Sequence, residues 1–379
     1  MRVAMSSFRF NNEGGIERAS YEVARRLATS VDMTLVATDV SPRPEDPLTW
    51  LSVEAQTTPG FLIPVTYSAA ASRALDGMHF DIVHNQGGCA TRAQDVITAH
   101  SCHRAWWEMK FRNGEALRAL ANPLHHAVLS IEKRNYAPGA FEQIIAVSNG
   151  VGLEVIEHYG VPADRVTVIP NAVDSARFQP TDAAARRHLI RVRHDIPDED
   201  IVLLWVGKEF RRKGLAPLIE ALPHLPSHAR VLVVGGDDQT PYRTLAARLG
   251  VGDRVTFAGH STAVEDYFQA ADIFVLPTLY EAFALVTLEA ASAGLPIVAT
   301  KVNGTEDFIV DGENGAFIER DSVSIARVLA PLVADPALCR RIGDQARKDA
   351  SAYTWDAVAQ RTLEVYEEVA ARKRSRSRR

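Results

Sequence analysis

The fold class predicted for this chain is α/β, built as two doubly wound parallel sheets in tandem. Three observations predict it. Short apolar runs alternate with helical stretches along nearly all of the 379 residues, the pattern of strand–helix–strand units around parallel sheets. The alternation pauses once, at a polar and weakly periodic stretch from Asp174 to Pro197, and then begins again. In both series, glycine-bearing loops lie between a strand end and a helix start, where a backbone can approach a phosphate closely.

In the first series, residues 2–8 are predicted as a strand. Asn11-Asn12-Glu13-Gly14-Gly15 follows, then a helix over 16–29. The spacing is Gly-Gly-x-Glu rather than G-x-G-x-x-G, which excludes the dinucleotide fingerprint and with it a nicotinamide oxidoreductase. Further strands are predicted at 33–38, 80–85, 96–99, 143–147 and 166–169. A doubly wound sheet gathers ligands at the C-terminal ends of its strands. Three features lie at such ends: His100, Ser148 with Asn149, and Asn171 after Pro170. A long helical region from Cys102 to Tyr136, broken near Asn113-Gly114 and Pro123, opens with Trp106, Trp107 and Phe111 set among Arg104, Lys110 and Arg112. Trp107 and Phe111 share a helix face. Such aromatics serve either as core or as a membrane-interface surface.

The stretch from Asp174 to Pro197 is expected to connect two domains and to hold a short helix over 183–192. The second series has strands at 201–206, 230–234, 254–258, 272–276 and 296–300, a turn over 311–315, and three closing helices. After the 201–206 strand comes Gly207-Lys208-Glu209-Phe210-Arg211-Arg212-Lys213-Gly214, with a helix from Leu215. Cations just before a helix start can neutralise a diphosphate and hold its charge as a bond breaks. After the 272–276 strand comes Glu281-Ala282-Phe283-Ala284-Leu285-Val286-Thr287-Leu288-Glu289, and then Gly294-Leu295-Pro296 as a helix stop. A helix from about Ala284 would point the N–H groups of Ala284 to Val286 at an anionic phosphate. Glu281 before that helix and Glu289 inside it would flank the phosphate and accept from sugar hydroxyls. A nucleotide-sugar fits such a pair, with one acid for the ribose and one for the hexose.

No apolar run approaches the roughly 20 residues a membrane span needs, and the first residues are too short and polar for a signal peptide. Cys89, Cys102 and Cys339 are odd in number with no metal spacing, so free thiols in a reducing cytoplasm are expected. Six cations fall in residues 372–379, against a net charge of -5 for the whole chain, so the remainder is strongly acidic. Such a run is expected to be a disordered, solvated end or a contact for an anionic membrane surface. The body has no basic face for nucleic acid, and no nucleic-acid partner is expected.

Glu-x7-Glu at a strand–loop–helix, followed by Gly-Leu-Pro-Ile-Val-Ala-Thr, resembles the family 4 retaining glycosyltransferases of GT-B fold. Within that family, Val-Gly-x-x-Phe-x-Arg-Lys-Gly-Leu and Tyr-x-Glu-Ala resemble the glucosyltransferase of the lipopolysaccharide core type. The resemblance covers nearly the whole chain and is strongest from Ile201 to Thr300. It departs from the family pattern at Ala172, Ala282 and Ala284, where many members carry glycine; Ala284 is expected to narrow the space beside a diphosphate.

What the resemblance implies is transfer of a hexose, with retention, from a nucleoside diphosphate sugar, a UDP-sugar for preference, to a hydroxyl of a glycan or lipid-linked acceptor. It implies an acceptor-side domain over 1–174, a donor domain over 175–354 across a crevice, a helix over 355–371 crossing back, and a disordered basic tail over 372–379. His100, Arg212, Lys213 and Glu281 would be catalytic. Gly14, Gly15, Gly207, Leu285, Val286 and Glu289 would bind donor, and Trp106, Trp107, Ser148 and Asn171 would lie on the acceptor side. No cofactor and no metal is expected, since no Asp-x-Asp pair lies near these motifs. The competing class is a non-catalytic sugar-nucleotide-binding scaffold, which would bind nucleotide without turning over donor.

Overall fold

The computed structural model describes residues 1–11, 14–41, 45–89 and 91–377. Asn12 and Glu13 of the first glycine loop, and Arg378 and Arg379 of the basic end, lie outside the described residues. The chain forms two compact units: residues 1–172 with 355–379, and residues 173–354.

The first unit holds seven parallel strands in the order Thr49–Ser52, Asp32–Ala37, Arg2–Ser6, Ile82–Asn85, Val96–Ala99, Gln143–Ala146 and Val166–Val168. The winding runs outward in one direction from Arg2–Ser6, then returns and runs in the other from Ile82–Asn85. The switch point between these two strands is where such a sheet opens a ligand crevice. Thr49–Ser52 was not foreseen: it is a mostly exposed edge strand of four residues with no buried run to signal it. The helix Ile63–Leu75 was not foreseen either, because its buried face is mostly alanine and serine. It does bury Tyr67, whose hydroxyl lies 2.8 Å from the Ser7 carbonyl oxygen and 2.6 Å from that of Val36.

The second unit holds six parallel strands in the order Val255–Gly259, Ala229–Val234, Ile201–Val206, Ile273–Leu276, Ile297–Thr300 and Gly315–Ile318. Successive strand side chains point to opposite faces, and both faces are covered. Leu203, Trp205, Val231, Val233, Ile273 and Val275 join one apolar cluster, while Val202, Leu204, Leu232, Val234, Phe274 and Leu276 join another. This double burial is why these strands read as continuous apolar runs. The switch point lies between Ile201–Val206 and Ile273–Leu276, and both loops singled out in the sequence leave from its C-terminal side.

Two expectations are corrected. The stretch from Asp174 to Pro197 is not a free connection, since unit two begins at Val173. Its helix Ala183–Arg193 is held by Arg191, whose fully buried guanidinium pairs with Asp272 Oδ2 at 2.8 Å. Arg191 also donates to the carbonyls of Ala270, Pro197, Asp198 and Asp200. The polar pattern that suggested a linker is therefore an internal ion-pair network.

The basic end is likewise not a disordered tail from residue 372. The helix Trp355–Ser377 runs on through it as part of the first unit. Arg376 pairs with Glu142 at 2.6 Å, Lys373 with Asp95 at 2.7 Å, and Arg372 donates to Gln143 Oε1 at 2.8 Å. Asp95, Glu142 and Gln143 lie on or beside strand starts of the first sheet, so Lys373 and Arg376 are paired with carboxylates of their own unit and Arg372 is held by a neutral amide. Farther up the same helix, Tyr366 meets the buried His84 at 2.6 Å, and His84 meets Thr98 at 2.8 Å.

Arg191→Met should destabilise the second unit by about 3–5 kcal/mol, because it strands a partly buried carboxylate and several carbonyls. Arg187→Met at the same carboxylate removes a partner whose side chain is 34% exposed, and should cost at most about 1 kcal/mol. Denaturant midpoints of the two variants check the contrast.

Candidate active site

The loop from Gly207 to Gly214 is built on an aromatic anchor. Phe210 is fully buried and packs edge-on against Trp205, with ring centroids 5.0 Å apart. The Trp205 indole N–H donates to the Lys213 carbonyl at 3.1 Å, and the Phe210 N–H donates to Asp237 Oδ2 at 2.8 Å. A core tryptophan thereby satisfies its polar edge on the loop it supports. Gly214 has φ +76°, and a Cβ there would fall 1.9 Å from the Pro277 carbonyl oxygen. Only glycine lets the 207–214 loop lie this close to the loop after Leu276. The two are joined further by Leu279 N–H to the Arg212 carbonyl, 2.9 Å, and by Arg320, which donates to the Pro277 carbonyl at 3.1 Å.

That contact brings three predicted residues together. Lys213 Nζ lies 2.8 Å from Glu281 Oε1, and an Arg212 terminal nitrogen lies 3.0 Å from the same oxygen. Thr278 Oγ1 donates to it at 3.3 Å. Arg212 also donates to the Tyr280 carbonyl at 2.6 Å and pairs with Glu209 at 2.8 Å. Burial pushes the Glu281 carboxyl upward, but the Lys213 ammonium and the Arg212 guanidinium outweigh it and hold the acid below its ordinary range. Glu281 is thus an anion with two cations on one oxygen. Most of the Arg212 donors are committed to the protein, while the described side-chain contact of Lys213 is the one to Glu281.

The helix after Glu281 runs Leu285–Ala293 and ends at Gly294, φ +83°. Of the N–H groups expected to be free at its start, that of Leu285 turns back to the Phe283 carbonyl at 3.0 Å. Ala284 is 4% exposed and packs in the apolar cluster with Phe274, Leu276 and Leu288. Its methyl belongs to the core, and the expected narrowing beside a diphosphate does not follow. Val286 packs against the same cluster. Glu289 is buried on this helix; burial pushes the Arg177 guanidinium pKa down, but Glu265, and behind it the Glu289 charge, outweigh that and raise it.

In the first unit, His100 follows the Val96–Ala99 strand and meets Gln86 Oε1 at 3.0 Å. Burial pushes its imidazole down to about 4, so it is neutral at physiological pH. His100 and Gln86 line a cavity of about 530 Å³ at the switch point of the first sheet. Ile16 and Glu17, in the first turn of the helix Gly15–Leu27, also line it, while Gly14 is that helix's N-cap.

The four acceptor-side residues do not. Ser148 is fully buried and caps the helix Asn149–Tyr159 by accepting from Val151 N–H at 3.1 Å, which is a structural task. Asn171 is buried away from this cavity, and Trp106 and Trp107 lie half-buried on the helix His103–Arg112. Gln86, Glu17, His103 and Glu132 of the cavity were not singled out in the sequence. The Gly87-Gly88 pair after the Ile82–Asn85 strand was the available signal: at Gly87, φ +69°, a Cβ would come 3.0 Å from the Thr98 carbonyl oxygen.

Two parallel sheets with these strand orders, and a cation–carboxylate cluster at one switch point, define a two-unit α/β protein of GT-B type. Residues 13–177 match the family described as Glycosyltransferase Family 4, and residues 186–349 match Glycosyl transferases group 1. The D-inositol 3-phosphate glycosyltransferase of Streptomyces scabiei is 32% identical over 312 residues, covering 76% of this chain and 68% of its own. That of Thermomonospora curvata is 30% identical over 321 residues, covering 78% and 73%. Against the relative from Xylanimonas cellulosilytica, 32% identical over 253 residues and 62% of this chain, the match spans 60% of the relative's length, and against that of Streptomyces avermitilis 52%.

Among solved structures, WaaG, a glycosyltransferase involved in lipopolysaccharide biosynthesis, superposes with a TM-score of 0.80 at 22% identity over 96% of this chain and 99% of its own. Anabaena Alr3699/HepE in complex with UDP and glucose gives 0.74 at 18%, over 97% and 99%. The chain belongs to the family 4, group 1 glycosyltransferases of GT-B fold.

A carboxyl whose pKa is depressed by folding adds stability that is present above its unfolded pKa and lost as pH falls through the folded value. Glu281→Gln should therefore lower the unfolding free energy most at neutral pH, with the deficit shrinking as pH is taken from about 6 towards about 3. Denaturant titrations across that range check it; a deficit that grows with acid would contradict the ion-pair account.

Proposed function

We propose that the protein is a retaining hexosyltransferase that moves a hexose from a nucleoside diphosphate sugar, UDP-linked for preference, to a hydroxyl of a glycan or lipid-linked acceptor. The observation that carries this reading is the pair of cations, Lys213 and Arg212, held on Glu281 at the switch point of the second sheet. Relatives named as D-inositol 3-phosphate glycosyltransferases, and a structural neighbour solved with UDP and glucose, support the same chemistry.

In the proposed reaction the acceptor oxygen bonds to the anomeric carbon as the bond from that carbon to the diphosphate breaks. The diphosphate leaves with the electron pair, and its departing oxygen takes the acceptor proton on the same face, which retains configuration. The need is charge stabilisation on the leaving group more than a protein base. Lys213 supplies it directly. Arg212, committed to Glu281, Glu209 and Tyr280, chiefly fixes the geometry around Lys213. Every described contact to Glu281 falls on Oε1, which leaves Oε2 for hexose hydroxyls.

Glu289 is assigned to the ribose, and Gly207 to close approach of the 207–214 loop, since a Cβ there would strike the Lys213 chain. Gly14, Gly15, Leu285 and Val286 keep their assignment to the donor phosphates. His100 is assigned to hydroxyl recognition in the first unit. No cofactor or metal enters this scheme.

A position at the inner face of a membrane is proposed from the region 103–124 rather than from the basic end. Lys110 lies 4.6 Å over the Trp106 ring and Arg104 5.3 Å over that of Trp107, and Leu117 nearby is 83% exposed. Rings, cations and exposed leucines together favour an anionic lipid surface.

Lys213→Ala should weaken nucleoside diphosphate binding by about 1.5–3 kcal/mol, the worth of a charge-assisted hydrogen bond, and should lower turnover by more. Nucleoside binding should stay level, and donor turnover should persist in chelator. Calorimetry with nucleoside and nucleoside diphosphate checks this; equal losses for both would mean a folding defect. A non-catalytic scaffold would bind the diphosphate and release none from donor. Changing Trp106 and Trp107 together to Ser should reduce binding to vesicles containing anionic lipid while donor binding holds; vesicle binding that persists in a variant of lowered melting temperature makes these rings packing residues.

A further inference from the structure

The strands Ile82–Asn85 and Val96–Ala99 are tied on one face by two rungs of side chains. Their parallel register sets His84 beside Val96 and Asn85 beside Ile97. Alternate residues of an extended chain share a face, so His84 and Gln86 project alike, as do Thr98 and His100. In the lower rung His84 Nε2 lies 2.8 Å from Thr98 Oγ1, with the Tyr366 hydroxyl 2.6 Å from Nδ1. In the upper rung His100 Nε2 lies 3.0 Å from Gln86 Oε1. Gln86 is itself fixed, since its backbone N–H donates to the Ser6 carbonyl at 2.9 Å.

A neutral imidazole has one nitrogen that donates and one that accepts. His84 engages both within the protein. His100 engages Nε2, and among the described residues no hydrogen-bonding group meets its Nδ1. Which His100 nitrogen carries the proton is decided by the Gln86 amide. Gln86 is 3% exposed, and its amide nitrogen lies 3.2 Å from the Met5 sulfur. A thioether accepts weakly and donates nothing. Turned the other way, the amide would set its carbonyl oxygen against that sulfur, and a buried carbonyl without a donor is costly. The amide nitrogen therefore faces Met5, the carbonyl oxygen faces His100, and His100 donates from Nε2. Burial pushes His100 down to about 4, so the ring carries no second proton at neutral pH.

We propose that Gln86 is a positioning residue for His100: it fixes the ring as the Nε2–H tautomer and leaves Nδ1 to a ligand as a hydrogen-bond acceptor. Such a nitrogen takes the hydrogen of a sugar hydroxyl and offers none to an ether or carbonyl oxygen. His100 thus selects hydroxyls and delivers no proton. The sugar in this inference rests on the glycosyl-transfer reading, whereas the tautomer is a property of the first unit.

The test is long-range proton–nitrogen correlation spectra of the histidine rings, recorded on the full chain at neutral pH. His100→Phe identifies the His100 signals by their loss. In the unaltered protein Nε2 should resonate as a protonated ring nitrogen and Nδ1 as an unprotonated one. In Gln86→Leu, which offers no acceptor, the two signals should move toward each other as both tautomers populate. Gln86→Glu, whose carboxylate only accepts, should keep Nε2 protonated. Tyr366→Phe strips the lower rung and should leave His100 unchanged, which separates a local lock from general packing. Melting temperatures show whether each variant is folded, and if Gln86→Leu is not, the unaltered protein and Gln86→Glu decide. A ring protonated on Nδ1 or evenly mixed in the unaltered protein overturns the proposal. So does indifference to Gln86→Leu in the folded variant, loss of the Nε2 proton in Gln86→Glu, or an equal shift in Tyr366→Phe. If the spectra agree but no donor sugar yields free nucleotide with any acceptor, glycosyl transfer is the reading that fails and the tautomer assignment stands.

Discussion

A carboxylate with two cations on one oxygen sets the form of the second unit's site. Burying Glu281 as a lone anion would be costly, and it stays ionised only because Lys213 and Arg212 are within hydrogen-bonding reach. Those cations sit on one loop and the carboxylate on another, so the pairing requires the two loops to touch. Gly214 permits the touch by having no Cβ where the Pro277 carbonyl passes, and Trp205 holds the loop from beneath through the Lys213 carbonyl. The support continues outward: Thr300 Oγ1 donates to the Thr278 carbonyl at 2.6 Å, and Thr305 Oγ1 to that of Thr300 at 2.8 Å. The cluster is thus held in place by core packing and backbone hydrogen bonds before any ligand arrives.

The two sheets share a plan and differ in charge. Each places its cavity-forming or charge-bearing loops at a switch point, as doubly wound sheets do. In the second unit the loops deliver cations. In the first, the start of the helix His103–Arg112 is taken by Glu132, and the imidazoles of His100 and His103 are neutral. Fold alone therefore does not assign ligand chemistry here; the side chains occupying equivalent positions do.

How much of this was legible in the sequence follows from what each element buries. The strands covered on both faces stood out, because nearly every residue in them is apolar. Edge strands did not: Thr49–Ser52 is mostly exposed, and Gly315–Ile318 begins with a glycine whose Cβ would collide with the Ile297 carbonyl oxygen, so it read as part of a turn. The Arg212, Lys213 and Glu281 constellation was legible because each residue directly follows a readable strand. The Gln86, Glu17 and Glu132 cavity was not, since its members come from distant segments and carry no spacing. Ser148 is ambiguous for a physical reason: a strand-end serine before a helix serves equally as a ligand contact and as an N-cap, and here it does cap the helix through Val151 N–H.

Charge patterning misled in the same way, and the reason bears on how the protein meets other surfaces. A run of cations at a chain end and a stretch rich in arginine between domains both resemble solvated segments. Here Arg372, Lys373 and Arg376 meet Gln143, Asp95 and Glu142, while Arg187 and Arg191 meet Asp272. Lys373 and Arg376 lie against carboxylates that offset much of their field within a few ångströms, Arg187 and Arg191 share the one charge of Asp272, and Arg372 is held by a neutral amide. Long-range attraction to an anionic surface therefore has to come from cations that keep their charge unpaired or sit beside exposed apolar groups. Lys110, which lies over the half-buried Trp106 and 3.5 Å from Glu115, and Arg118, next in the chain to the exposed Leu117, sit beside apolar groups. Apolar and cationic side chains fall there on one patch, and it is on this combination that the proposed membrane contact rests.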